Sequence, residues 1–140
     1  METLSQTRKI VGEARQAGRL AAEKKLDELL KAGPKFEVFD VDLGGRPKPG
    51  AKRYPMLDLC GDADIYITNH RSKFWKDFKK LADNRTNRLY CSGVGPYGGW
   101  ISIFDMTRQQ EISVNEAANR AAAAVLQEHG IDCHVRTRLD

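Results

Sequence analysis

Apolar residues recur at helical spacing through the first thirty residues of the chain. The repeat predicts an amphipathic helix over residues 4 to 31, and Gly33-Pro34 ends it, so that residues 1–33 form an N-terminal helical segment. The apolar positions are Leu4, Ile10, Val11, Ala14, Ala17, Ala21, Leu26, Leu29 and Leu30.

The pattern changes to alternation in residues 35–60. FEVFDVDL (36–43) alternates as a strand does, and MLDL (56–59) can return beside it as a short second strand. The intervening stretch GGRPKPGAKR is rich in glycine and proline, which predicts a loop. The segment is therefore predicted to be a hairpin with a basic loop, whose cations are Arg46, Lys48, Lys52 and Arg53.

Strand and helix patterns then follow one another in residues 64–140. ADIYITN, NRLYCSG, GGWISIFDM and IDCHVRTRL have strand patterns, and the helical segments are RSKFWKDFKKLADN and SVNEAANRAAAAVLQEHG. Ser113 and Glu116 form a capping box that predicts the start of the second helix. The order βαββαβ is that of a ferredoxin-like antiparallel sheet with two helices on one face. We therefore expect an α+β fold, ferredoxin-like after a long N-terminal helix and a β-hairpin, in a single domain spanning residues 1–140.

Alternation along the strands divides the sheet residues between two faces. The inner face, against the helices, is expected to contain Ile65, Ile67, Leu89, Cys91, Ile101, Ile103, Cys133 and Val135. The opposite face is expected to contain Tyr66, Thr68, Tyr90, Ser92, Trp100, Ser102, Phe104, His134, Arg136 and Arg138. Two arrangements remain open, because the N-terminal helix and the hairpin could cover this second face and turn its aromatic residues into core.

Composition says more about the cellular compartment and the charge of a partner than about any catalytic chemistry. The net charge of +4 and the pI near 9.0 mildly favour acidic partners such as nucleic acid. Cys60, Cys91 and Cys133 are an odd number without a CxxC pair, which predicts free thiols in a reducing compartment. No stretch has the pattern of a signal peptide or of a membrane helix, so we expect a cytoplasmic protein, in the host cytoplasm if viral, without a membrane partner.

Residues 64–140 resemble the RNA-recognition-motif domains. IYITNH (65–70) is similar to the first-strand motif of that family, and Gly99, Trp100 and Ile101 stand where its third-strand motif has a small residue, an aromatic and an aliphatic. Pro96-Tyr97-Gly98 replaces the basic start of that motif. The resemblance implies that Tyr66 stacks on a base.

If the second face is accessible, its aromatic residues would stack bases of single-stranded RNA or DNA, while basic residues would contact phosphates. The resulting candidate site consists of Tyr66, Tyr90, Trp100, Phe104, Arg136, Arg138, Arg46, Lys48, Lys52 and Arg53. This predicts a non-enzymatic protein that binds single-stranded nucleic acid or a nucleoprotein complex, without a cofactor.

Acidic residues provide an enzymatic alternative. Asp40 and Asp42 lie two residues apart on one predicted strand, a spacing that lets both bind a divalent metal. Small primase-polymerases have a similar motif, followed by a histidine motif and a third aspartate, for which this chain offers His70 and Asp105. On that resemblance Asp40, Asp42 and Asp105 would hold metal for nucleotidyl transfer.

A third hypothesis is a protein-interaction module, such as a phage-encoded accessory protein or inhibitor that blocks a host defence complex. The feature that separates this hypothesis from the first is the N-terminal helix. If it projects from the domain, the stripe containing Leu4, Ile10 and Val11 would dock on a partner or on a second copy. Enzymatic activity is thus left open, with a binding role favoured.

Overall fold

The computed structural model describes residues 3–39, 41–50 and 52–140, with the backbone alone for Thr3 and Arg53. Three helices and six strands make up the described fold, together with a short 3-10 helix at Arg85–Asn87. In chain order they are α1 (Thr3–Ala32), β1 (Phe36–Phe39), β2 (Arg53–Met56), β3 (Gly61–Ile67), α2 (Lys73–Asp83), β4 (Leu89–Cys91), β5 (Gly99–Ile103), α3 (Ile112–Glu128) and β6 (Cys133–Leu139).

The strands form two antiparallel sheets. β1 and β2 pair as a two-stranded hairpin, and the other four strands have the order β4-β5-β3-β6. At the centre of the larger sheet, Tyr66 lies opposite Trp100 on one side and His134 on the other. The predicted α+β fold, with a long N-terminal helix and a hairpin before the remaining elements, is confirmed.

One hydrophobic core joins the helices to the inner face of the larger sheet. Of the residues expected on that face, Ile65, Ile67, Leu89, Ile101, Ile103 and Cys133 are buried, and Cys91 and Val135 pack against them. The helices contribute Phe78, Val114 and Leu126, which are fully buried. The alternation of the strands therefore predicted the inner face correctly.

Helix α1 packs on the other two helices. Its Ala14, Gly18 and Ala22 are buried and lie four residues apart, on the side that meets α3. The Thr7 hydroxyl donates a hydrogen bond of 3.0 Å to the buried carboxylate of Asp77 in α2. Ile10 and Val11 are also buried. The apolar stripe of α1 is thus core, which corrects the hypothesis that it is free to dock on a partner.

Two local predictions are wrong. The second hairpin strand is Arg53–Met56, not 56–59, and α3 begins at Ile112, not at a Ser113 cap. The Asp58 carboxylate accepts hydrogen bonds from the amides of Leu59 (2.8 Å) and Ser113 (3.3 Å). Asp58 therefore caps α3 from a distant part of the sequence.

No helix in the described part of the chain is both long and apolar enough to cross a membrane.

Candidate nucleic-acid interface

The outer face of the larger sheet, opposite the helices, is not covered by any helix or strand that the structure describes. Tyr90 and Phe104 are 46% and 41% exposed, and Tyr66 and Trp100 are half-buried. Because α1 packs on α3 and α2, it does not form the covering layer that the sequence left open. The hairpin leaves Phe36, Val38 and Tyr54 exposed and pairs chiefly with itself. The outer face thus presents its aromatic residues to solvent.

Aromatic rings on this face lie in pairs across neighbouring strands. The ring centroids of Tyr90 and Trp100 are 5.0 Å apart with an angle of 38° between their planes, and those of Tyr66 and His134 are 5.3 Å apart. The guanidinium of Arg136 lies 4.3 Å from the centroid of the Tyr66 ring. Tyr66 is therefore already stacked, whereas Tyr90 and Trp100 form the more available aromatic surface.

A groove of about 260 Å³ runs beside the Tyr90–Trp100 pair. Its wall combines aromatic rings, a hydroxyl, two carboxylates and one guanidinium, from Asp62, Asp64, Tyr90, Trp100, Ser102, Phe104 and Arg138. Planar rings can stack on the aromatic wall, and carboxylates can accept hydrogen bonds from amino groups. A flat, nitrogen-rich ring such as a nucleobase has both properties.

The two carboxylates in this groove were missed by the sequence analysis. Asp62 lies opposite Arg138 and Asp64 opposite Arg136 in the strand register, and Nε of Arg136 is 3.6 Å from Oδ1 of Asp64. Burial raises the pKa of Asp64 although Arg136 opposes that shift. Alternation along β3 would have placed both acids beside Tyr66. The edge at β6 is therefore close to neutral, not strongly basic.

The cations of the predicted basic loop lie in the hairpin connection, not in the groove. Arg46, Lys48 and Lys52 are exposed, and the side chain of Arg53 lies outside the described residues. The Asp42 carboxylate shapes this loop by accepting hydrogen bonds from the amides of Gly44 (2.9 Å) and Arg46 (3.0 Å). None of the described loop cations lines the groove, so the structure does not bring the two halves of the predicted site together there.

The aspartates of the enzymatic alternative have separate structural roles where they are described. Asp40 lies outside the described residues. Asp42 shapes the hairpin loop, and Asp105 forms two hydrogen bonds with Arg88, of 3.0 and 3.2 Å, which lower the pKa of its carboxyl group. Within the described ranges, no group of three or more histidine, cysteine, aspartate or glutamate residues could hold a metal ion.

Neither a protein-family model, nor a curated protein, nor a solved structure matches this chain.

Proposed function

We propose that this protein binds single-stranded nucleic acid, alone or within a nucleoprotein complex, through the outer face of its larger sheet. The uncovered Tyr90–Trp100 pair beside the groove is the observation on which the proposal rests. A base stacked on an aromatic side chain contributes about 1 to 3 kcal/mol to binding. The role is one of binding, without a catalytic step.

In this proposal the groove holds a base in two ways, by stacking on its ring and by hydrogen bonds to its edge. Trp100 and Tyr90 provide the stacking surface, and the carboxylates of Asp62 and Asp64 accept hydrogen bonds from exocyclic amino groups. Oδ1 of Asp64 is buried and has an ion-pair contact with Nε of Arg136 at 3.6 Å but no hydrogen bond among the described atoms, so an amino group of a base would supply one. Arg138, in the same groove, lies within reach of a phosphate.

We further propose that residues 61–139 form a ferredoxin-like arrangement related in design to the RNA-recognition-motif domains. The succession βαββαβ, the antiparallel pairing and the two helices on one face support this assignment. Tyr66 at the centre of the outer face, between Trp100 and His134, also supports it.

The free thiols of Cys60, Cys91 and Cys133 support a reducing compartment such as the cytoplasm.

Fluorescence anisotropy with labelled single-stranded RNA and DNA tests the proposal. The parent is expected to bind, and to bind less tightly as salt is added, because phosphate contacts release counterions. Tyr90→Ala/Trp100→Ala should weaken binding at least about tenfold, since it removes two stacking surfaces. The matched control, Leu20→Ala/Leu30→Ala, removes two exposed apolar side chains from α1 and should bind like the parent.

Two results would count against the proposal. One is the absence of binding by the folded parent at low salt. The other is equal loss of affinity in the two double variants, which would show that the outer face has no special role. Circular dichroism of each variant separates loss of binding from loss of fold.

A second candidate function is docking on a protein partner, in the manner of an accessory or inhibitory factor such as a phage-encoded protein that blocks a host complex. The β1–β2 hairpin favours it, because Val38, Val41, Leu43 and Tyr54 are all exposed, Leu43 completely. A photo-crosslinking residue at Leu43 should capture a protein that one at Leu20, exposed on α1, does not. Equal adducts at both positions would exclude the hairpin as a docking surface.

A further inference from the structure

A second pocket, beside α1, is lined by four arginines. It has a volume of about 410 Å³ and lies between α1, the 3-10 helix and the turn after β5. Its wall includes Arg8, Gly12, Arg15 and Arg19 of α1, together with Arg88 and Asp105. The spacing of these α1 residues, at intervals of four, three and four, places them on one face of the helix. The apolar periodicity of α1 does not reveal this face, because its members are arginines and a glycine.

Part of the cluster is held rigidly by the backbone around it. Arg15 donates hydrogen bonds to three backbone oxygens, those of Phe104 (3.0 Å), Asn87 (2.8 Å) and Arg88 (3.1 Å). Arg88 and Asp105 form a two-bond ion pair, and both have left-handed backbone conformations, with φ of 55° and 68°. The floor and one wall of the pocket are therefore fixed before any ligand arrives.

The other two arginines retain donors for a ligand. Arg19 donates through Nε to the backbone oxygen of Asp105 at 2.8 Å, and Arg8 donates through one terminal nitrogen to Oδ1 of Asn87 at 3.3 Å. A guanidinium has five N–H groups, so each of these side chains keeps donors without a partner among the described residues. Both side chains are exposed at the rim of the pocket.

Charge and space both favour an anion here. Four guanidinium groups face one carboxylate, that of Asp105. Burial is the main cause that lowers the pKa of Arg15, and repulsion from Arg19 adds to it. Gly12 has no side chain, and a Cβ built on it would meet no atom within 4 Å, so the centre of the arginine face is open.

We propose that this arginine pocket binds a phosphate group. Guanidinium groups match phosphate oxygens in geometry and charge and bind them through two parallel hydrogen bonds. The phosphate can belong to a free phosphate compound or to the end of a nucleic-acid strand. Binding here does not depend on the outer face of the sheet, because the pocket lies between α1 and loops of the helical side.

Isothermal titration of the full chain with inorganic pyrophosphate tests the pocket directly, because this probe has no base to stack. The parent is expected to bind, and Arg8→Gln/Arg19→Gln to bind about tenfold more weakly. The control Lys24→Gln/Lys31→Gln loses the same two charges from exposed positions on α1 that do not line the pocket. It should change the affinity by less than about twofold at moderate salt. Absence of binding by the parent, or equal losses in both variants, would overturn the proposal.

A second variant covers the case in which removal of two arginines unfolds the chain. Gly12→Leu keeps every charge and fills the centre of the arginine face, so it should also weaken pyrophosphate binding about tenfold. Unchanged binding by a folded Gly12→Leu variant would contradict the proposed location.

Oligonucleotides with and without a 5′-phosphate identify the source of the phosphate group. Tighter binding of the phosphorylated strand, lost in Arg8→Gln/Arg19→Gln, would support a nucleic-acid end. Equal binding of both strands, with pyrophosphate still bound, would support a free phosphate compound. If Tyr90→Ala/Trp100→Ala does not alter binding of the strands, that result counts against the proposed role of the outer face and not against the pocket. The two proposals can be separated in this way because pyrophosphate reports only on the pocket.

Discussion

Cys133 shows how a single residue depends on its place in the fold. It begins β6, is 5% exposed, and its thiol donates a 3.7 Å hydrogen bond to the backbone oxygen of Ala123 in α3. Burial raises its pKa from the ordinary value of 9.0 to about 11. Because the thiolate is the reactive form, Cys133 should be inert in the folded protein at neutral pH.

Alkylation with iodoacetamide followed by peptide mapping measures this directly. At about pH 8, the peptide containing Cys133 should stay unmodified in the native protein and be modified in urea.

The raised pKa of Cys133 also makes the stability of the protein depend on pH. The unfolded thiol ionises near pH 9.0 and the folded one near 11, so its contribution to stability is full below pH 9.0 and is lost as the pH rises toward 11. Rapid alkylation of Cys133 in the native protein at about pH 8 would contradict its burial and its raised pKa.

Individual positions differ in how far the sequence alone could predict them. Strand alternation placed Cys133 and Ile65 on the inner face, because period two is a local property of the backbone. The cap of α3 could not be predicted in this way. Asp58 supplies the cap by accepting a hydrogen bond from the amide of Ser113, which is 55 residues away in the sequence. The local capping box predicted at Ser113 does not form, and the tertiary contact with Asp58 takes its place.

At the scale of elements, the close crossing of α1 and α3 organises the helical layer. A Cβ on Gly18 would lie 2.2 Å from Sδ of Met106 and 3.0 Å from the backbone oxygen of Ala118. Ala118 and Ala122 of α3 are fully buried, and Ala14 and Ala22 flank Gly18 on α1. Small residues on both helices thus let the two backbones approach closely.

Two glycine-to-alanine substitutions in α1 test this crossing. Gly18→Ala should destabilise the protein by about 1 to 3 kcal/mol, because the methyl group overpacks the crossing. Gly12→Ala is the matched control and should stabilise it by up to about 1 kcal/mol, since alanine favours helix and no atom lies within 4 Å of the new Cβ. Urea denaturation measures both, and equal effects of the same sign would argue against a close approach at Gly18.

The length of α1 was predictable, but its packing partner was not. Helical periodicity predicts a helix over residues 4 to 31, and the structure has Thr3–Ala32. Periodicity identified Ile10, Val11, Ala14 and Leu29, which are buried, but also Leu30, which is exposed, and it does not indicate what buries the helix. The small residues of α3 could be recognised as the partner surface only after both helices had been placed on the same side of the sheet.

At the scale of the whole molecule, the position of α1 leaves the outer face of the sheet open. All three helices lie on one side, so the aromatic residues of β3, β4 and β5 remain accessible. The sequence predicted which side chains share that face but not whether it is covered, because coverage depends on the path of α1. It also missed Asp62 and Asp64, which make the face mixed in charge.

Arginines cluster at a pocket that adjoins that face at Phe104. The net charge of +4 is small, yet four arginines meet at one pocket beside α1. Phe104 connects the two regions, since its ring lies on the outer face and its backbone oxygen accepts a hydrogen bond from Arg15. The guanidinium of Arg88 also lies 5.5 Å from the centroid of the Phe104 ring. A strand that leaves the aromatic groove past Phe104 would approach the arginine pocket.

Intrinsic tryptophan fluorescence during titration with unlabelled single-stranded oligonucleotide tests the central claim most directly. The chain has two tryptophans, Trp75 buried in the core and Trp100 on the outer face. Stacking of a base on Trp100 should quench its emission in the parent, whereas Trp100→Phe, with Trp75 alone, should show no change. Binding that leaves the parent emission unchanged, or equal quenching in Trp100→Phe, would contradict recognition at the outer face.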